Sequence, residues 1–312
     1  MRSPDQHSRD LRSGLIGTAI AVSAWGFSGI LIKSIDMGAV PIAFWRFSAY
    51  AAILAAWTRY RGDRVNLAVL RLSAPGGLCL SADVLLFFTA IKLTTVVNAT
   101  TIGAMQPLIV GVFASRMFGE KVRRPEILAA LVAIVAVVTI VIESAGTPKW
   151  NGWGDLAAFG TLFAWSGYFI TAKRAKDLLT PMEFTFGTSV WTAGAALIAG
   201  FVFSQDMSVP NGENWLWIAA VIVVGGFLGH SMMNWSLVRV PLWLGSALTL
   251  LIPVISSIAA WIFLGESLSL IQLAAMAVVV LALAYIVIRQ SGSEQSKLAI
   301  RSTVDPAGTL AP

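Results

Sequence analysis

Between Gly14 and Ile288 the sequence is a succession of long apolar runs separated by short polar joints. About 20 apolar residues make a helix long enough to cross the hydrocarbon of a bilayer. In that solvent only helices and closed barrels satisfy their own backbone hydrogen bonds. The runs predict ten spanning helices: Gly14–Ile32, Val40–Thr58, Leu72–Ile91, Val96–Phe118, Ile127–Ile142, Trp153–Ala172, Met182–Phe203, Trp215–Val238, Leu242–Leu264 and Leu270–Ile288. Charged residues make up only 12% of the chain, against about 25% in soluble domains. The fold class this implies is an all-α membrane protein. No joint is long enough to hold a soluble catalytic or binding domain.

Basic residues concentrate in cytoplasmic loops, and that rule orients the chain. With the N-terminus inside, all but four of the 22 Lys and Arg fall on the cytoplasmic side. The four are Lys33, Lys92 and Lys149 on the outer side and Arg46 within a helix. The net charge of +6 is thereby explained by membrane topology, without a nucleic-acid partner. The Arg-rich start resembles the leading region of a signal peptide. The apolar run behind it is long, carries Trp25 in its middle and leads into a second span, so it reads as a retained helix. The expected location is the cell membrane, multi-pass, with both termini cytoplasmic.

The chain repeats itself. Ala24-Trp25-Gly26-Phe27 running to Lys33 is echoed 140 positions later by Ala164-Trp165-Ser166-Gly167 running to Lys173, and Pro41 is echoed by Pro181. Later in each half the offset is 146: Pro107 leads to Glu120 in Phe-Gly-Glu, and Pro253 leads to Glu266 in Leu-Gly-Glu. Five helices per half is an odd number, so the second half enters the membrane from the opposite side. The expected architecture is two inverted five-helix repeats, residues 14–143 and 144–289. A cytoplasmic tail of residues 1–13 precedes them, and a disordered cytoplasmic tail of residues 290–312 follows. Inverted repeats about a midplane site are the sequence signature of alternating-access transport.

These motifs resemble the EamA-type transporters of the drug/metabolite transporter superfamily. The resemblance rests on the Ala-Trp motif running to Lys in the first helix of each half, the Pro opening the second, and the Pro followed by Gly-Glu at the end of the fourth. Arg46 and the Ala90-Ile91-Lys92 ending of the third helix also match that family's habit. The resemblance implies a secondary transporter, usually an exporter and often proton-coupled. Its implied cargo is a small organic metabolite, from amino acids to nucleosides, sugars and toxic organics.

Ionisable side chains inside hydrocarbon cost a few kcal/mol each, so those present face a cavity or a partner. Arg46 lies roughly 9 Å and Asp83 roughly 12 Å from the outer ends of their helices, at 1.5 Å per residue. Their matching depths make an Arg46–Asp83 ion pair one reading. The other is substrate binding: Arg46 for an acidic group, Asp83 for an amine or as the titrating site. His230 sits roughly 13 Å from the cytoplasmic end of the eighth helix, with Asn234 one turn on. It suits a proton-coupled step or a plain interhelical hydrogen bond.

Asn98 and Gln106 in the fourth helix come back to one side just before Pro107, which deprives Gly103 of its usual hydrogen-bond donor. A kink there, and another at Pro253, would open backbone polarity to a cavity. Trp25 and Trp165, the repeat-related pair at mid-depth, either wall that cavity or pack against Gly26, Gly29, Gly160 and Gly167. Trp57, Trp150, Trp153, Trp215, Trp217, Trp243 and Trp261 sit near helix ends and read as interfacial anchors. Glu120 and Glu266, also at helix ends, read as structural.

The single cysteine, Cys79, gives no disulfide framework, and two histidines, one in the N-terminal tail, give no zinc site. No phosphate-binding GxxxxGK[ST] motif is present. No cofactor is therefore expected, and the partners are a small-molecule substrate, the lipid bilayer and protons. The rival readings are a membrane-embedded enzyme acting on lipid, for which acids, nucleophile and base are not clustered, and a non-transporting sensor, for which the tails are short.

Overall fold

The computed structural model describes residues 4–94, 96–145 and 151–304. Arg2, Lys149, Trp150 and the end of the C-terminal tail lie outside them. Among the described residues every regular element is helical. In chain order these are α1 Pro4–Lys33, α2 Ala39–Tyr60 and α3 Leu67–Leu93. The fourth apolar run is broken into α4 Val96–Gly103 and α5 Gln106–Phe118. Then follow α6 Arg124–Ala145, α7 Gly152–Arg174 and α8 Pro181–Val202. The eighth run divides into α9 Gly212–Val221, a ten-residue π-helix Ile222–Ser231 and α10 Met232–Leu237. The ninth divides into α11 Leu242–Ala247, a 3-10 turn Leu248–Leu250 and α12 Leu251–Leu264. The last is α13 Leu270–Val304.

Among the described residues nine helices, counting a broken run as one, are long and apolar enough to cross a membrane. α7 is as long, at 23 residues, but carries Asp155 in its first turn and Lys173 and Arg174 in its last. It is not among the nine. At the chain's two ends helix extends past the apolar runs. α1 begins at Pro4, and α13 continues to Val304 through most of the stretch whose composition predicts a disordered tail.

The helix starts follow from local capping. The side chains of Asn66, Asn151 and Asn211 each accept from the backbone N–H three residues on, an interaction of about 1 kcal/mol. Thr180 and Glu183 exchange bonds in a capping box ahead of Pro181. The breaks in the fourth and ninth runs go with Pro107 and Pro253, whereas the eighth run has no proline and widens into its π-helix instead. At the first, Met105 N donates to Ile102 O at 3.1 Å and Leu108 N to Met105 O at 3.0 Å, so the chain tightens to three-residue bonds just where Pro107 brings no donor. The fourth and ninth runs end alike. Gly119 (φ 63°) and Gly265 (φ 69°), 146 positions apart, adopt the left-handed conformation that glycine tolerates and other residues resist. The next residue, Glu120 or Glu266, donates its N–H back to Ala114 O or Ala260 O.

α3 packs along α7 and α8, α2 along α8, α6 along α13, and α1 along α12 and the π-helix. Small residues permit the closest approaches, as expected where helices associate without a hydrophobic driving force. A Cβ on Gly154, Gly160 or Gly167 of α7 would run into Thr94, Leu86 or Cys79 of α3. Trp243 corrects one sequence expectation. It is no interfacial anchor but is 2% exposed, its indole seated against Gly111 of α5. By contrast, Trp153 is 77% exposed.

Candidate functional site

A cavity of about 910 Å³ opens between the helix breaks. Its deep part is formed by Trp25, Arg46, Phe47, Leu80, Asp83, Gln106, Trp165, His230 and Thr249. Its rim is formed by Lys33, Met37, Phe87, Ser144, Leu264 and Glu266. All these rim residues lie at or near one end of the bundle, where α1, α3, α6 and α12 finish and α2 begins. α2 and α6 also contribute to the lining, through Arg46 and Val137.

The opposite end is tied shut. Lys173 Nζ donates to Leu237 O at 2.7 Å and Val240 O at 2.5 Å, capping the C-terminus of α10. The carboxylate of Glu120 accepts from Leu242 N at 2.6 Å and Trp243 N at 3.0 Å, capping the N-terminus of α11. A cation on terminal carbonyls and an anion on leading amides each match the helix dipole, at about 0.3–1 kcal/mol. Beside them Arg64 Nε meets Glu183 Oε1 at 2.8 Å, and Gln290 Nε2 donates to Glu126 Oε2 at 3.0 Å.

An aromatic box forms the cavity floor. Trp25 and Trp165 meet edge to face with centroids 5.1 Å apart. The His230 ring lies 5.3 Å from Trp25, 5.9 Å from Phe47, 6.1 Å from Tyr168 and 6.5 Å from Trp165. The tryptophans do not pack on the glycines expected from sequence: a Cβ on Gly26, Gly160 or Gly167 would meet Ile255, Leu86 or Cys79, and Gly29 faces open space. Instead the Trp25 indole rests on Gly229 of the π-helix. Gly225 receives the Arg46 guanidinium and Gly226 the Tyr50 ring. π-helical turns recur at functional sites, and here three glycines let large side chains of α1 and α2 reach the segment that carries His230. The Gly-Gly-Phe-Leu-Gly-His run was the available signal for this, and helical periodicity alone passes over it.

Arg46 and Asp83 do not form an ion pair. Among the described residues the Arg64–Glu183 bridge is found, but no carboxylate lies within 4 Å of Arg46. Matching depth was a poor guide because α2 and α3 each turn to α8 rather than to one another. Both residues face the cavity. Arg46 Nε, Gln106 Nε2 and His230 Nδ1 are buried and have no hydrogen-bond partner among the described residues. Leaving such a group unpaired costs about 1–3 kcal/mol, so three deep residues carry unused hydrogen-bonding capacity.

Of the remaining sequence candidates, Gln106 lies in the cavity wall, its Oε1 accepting from Thr249 Oγ1 at 3.1 Å across the two breaks. Asn98 and Asn234 are not in the lining. Asn98 Nδ2 donates to Asp155 Oδ1 at 2.9 Å, beside Thr94 Oγ1 at 2.8 Å, and so fastens the α3–α4 turn to α7. Asn234 Nδ2 donates to Tyr168 Oη at 2.8 Å and Thr185 Oγ1 at 2.9 Å, below the aromatic floor.

The sequence profile of the EamA-like transporter family matches this chain twice, over residues 12–142 and 152–288. The chain belongs to the EamA-like transporter family. It is therefore a multi-pass membrane transporter rather than an enzyme. Among curated EamA relatives, it is 28% identical over 232 residues to the aromatic amino acid exporter YddG of Ancylobacter novellus, covering 68% of this chain and 77% of that protein. It is 24% identical to the uncharacterized transporter YyaM of Bacillus subtilis, covering 70% and 75%. It is 25% identical to the threonine/homoserine exporter RhtA of Salmonella typhimurium, covering 66% and 67%. A solved crystal structure shares the EamA chain's fold, with a TM-score of 0.77 at 20% identity, covering 90% of this chain and 99% of that one.

Proposed function

We propose that this protein is a secondary-active exporter of an amino acid or a related small zwitterion, working by alternating access. In this reading α7 is a tenth span, since its charges sit in its first and last turns. The two five-helix halves are inverted repeats, both termini are cytoplasmic, and the cavity rim at Lys33 faces outside. The structure then stands in an outward-open arrangement.

The observation that carries the reading is the separation of Arg46 and Asp83, unpaired, across a cavity floored by Trp25, Trp165 and His230. A guanidinium suits a substrate carboxylate, a carboxylate suits an ammonium, and the aromatic box suits an apolar or cationic side chain. Gln106 Nε2 supplies a further donor. The similarity to YddG and RhtA, named as exporters of aromatic amino acids and of threonine or homoserine, supports an amino acid as cargo. Protons are the coupling ion in this proposal, taken up at Asp83 or His230.

The test is flux in proteoliposomes loaded with a pH dye and challenged with aromatic amino acids, threonine and homoserine, and separately with nucleosides. Saturable movement of an amino acid accompanied by internal pH change supports the reading. Saturable movement of nucleosides in its place moves the substrate class, and flux without pH change removes proton coupling.

A further inference from the structure

The two halves share their motifs but not their bonds. Lys173 and Glu120 together clamp the tight turn between α10 and α11: the ammonium holds the carbonyls of Leu237 and Val240, and the carboxylate holds the amides of Leu242 and Trp243. Their repeat mates are Lys33, at offset 140, and Glu266, at offset 146. The backbone supporting each pair is the same. Lys33 and Lys173 both lie in the last turn of their helices, and Glu120 and Glu266 follow identical left-handed glycine caps. Yet among the described residues Lys33 and Glu266 make no ion pair or side-chain hydrogen bond. Both stand exposed on the cavity rim, whereas Lys173 and Glu120 are absent from the lining.

We infer that Lys33 and Glu266 are the counterpart clamp, which closes the cavity mouth when the Lys173–Glu120 clamp releases. Their target is the turn between α3 and α4. At offset 146, Leu237 and Val240 correspond to Ile91 and Thr94, and Leu242 and Trp243 to Val96 and Val97. Lys33 then takes the carbonyls of residues 91 and 94 at the end of α3, and Glu266 the leading amides of α4. The cavity wall formed by Phe87, Ala99 and Thr100 lies on those two helices, so drawing the turn onto α1 and α12 covers the mouth. Each clamp matches a helix dipole at both of its contacts. The two arrangements are therefore chemically alike, as needed for two states of similar free energy. The inference rests on the alternating-access reading above and adds to it the four residues that exchange.

The test uses the full chain in detergent with Cys79→Ala and Ser257→Cys, the new thiol lying in the cavity lining and reporting whether the Lys33 end is open. The labelling rate with a bulky maleimide is measured on protein that elutes as a single species. Lys173→Gln or Glu120→Gln is expected to slow labelling at least threefold, because only the arrangement open at the Lys33 end loses its clamp. Adding Lys33→Gln or Glu266→Gln to either variant is expected to return the rate to within twofold of the parent. A rate left unchanged by Lys173→Gln and Glu120→Gln, or no recovery in the double variants, overturns the inference. Labelling needs no substrate, so the two proposals fail separately. Recovery without flux in proteoliposomes sinks the transport reading alone, and flux without recovery sinks the clamp alone.

Discussion

The indole of Trp25 and the imidazole of His230 meet edge to face, with ring centroids 5.3 Å apart and planes at 67°. The contact exists because Gly229, the residue before His230, has no Cβ to push the indole away. Overpacking of this kind costs about 1–3 kcal/mol. Gly229→Ala is expected to lower the melting temperature in detergent by several degrees and to reduce flux. Trp25→Phe, which shortens the ring, is expected to recover most of both when combined with Gly229→Ala. If the two effects simply add, the indole is not what Gly229 makes room for.

Arg46 and Asp83 face one cavity without touching, and their substitutions are expected to separate by substrate chemistry. A hydrogen bond to a charged group contributes about 1.5–3 kcal/mol, which is roughly 10- to 100-fold in affinity. Arg46→Gln is expected to raise the apparent KM for a zwitterionic amino acid by that factor and to leave the corresponding amine, lacking the carboxylate, nearly unaffected. Asp83→Asn is expected to act in the reverse sense, hurting the zwitterion and sparing its deaminated acid. Equal losses on all three compounds would assign both residues to the scaffold. Competition assays with the three analogues on each variant decide the matter.

The repeat and the apolar runs were legible because they are one-dimensional: Trp25 and Trp165, or Gly119 and Gly265, announce each other by offset alone. Helix breaks at Pro107 and Pro253 were legible for the same reason, since a missing N–H is a local property. What could not be read is how helices turn about their axes. Arg46 and Asp83 match in depth by residue count, yet α2 and α3 present them to the cavity without bringing them together. Asn98 looked like a cavity residue by spacing, but the side chain of Asp155, 57 positions on, claims its amide. The asymmetry between Lys33 and Lys173 is equally invisible in sequence, because it lies in which backbone carbonyls each ammonium reaches and not in composition.

Two tryptophans near helix ends have opposite environments. Trp243 is sealed between α11 and α5, and Trp153 is three-quarters exposed. Emptying a core site of that size costs about 3–5 kcal/mol. Trp243→Ala is expected to lower the melting temperature in detergent sharply, and Trp153→Ala to change it by no more than a degree or two. The same pair measured after reconstitution separates lipid anchoring from packing: a penalty for Trp153→Ala that appears only in the bilayer belongs to the interface. Similar melting temperatures for both variants in detergent would contradict the burial of Trp243.

Gln106 and Asn98 are both amides of the broken fourth run, and the structure gives them different work. Gln106 keeps Nε2 unpaired in the cavity wall. Asn98 uses its amide on Asp155, with Thr94 and the Asn151 N–H on the same carboxylate. Removing Asn98 takes one of these three donors from the carboxylate, a hydrogen bond to a charged group worth about 1.5–3 kcal/mol, without removing a group that lines the cavity. Asn98→Ala is therefore expected to lower the melting temperature and leave the apparent KM within twofold. Gln106→Ala is expected to raise KM several-fold and to change melting little, because it removes a buried, unpaired N–H and the Thr249 hydroxyl it leaves keeps its bond to Ser246 O. Flux titrations and thermal melts on the two variants give four numbers, and a KM change for Asn98→Ala larger than that for Gln106→Ala would return Asn98 to the substrate site.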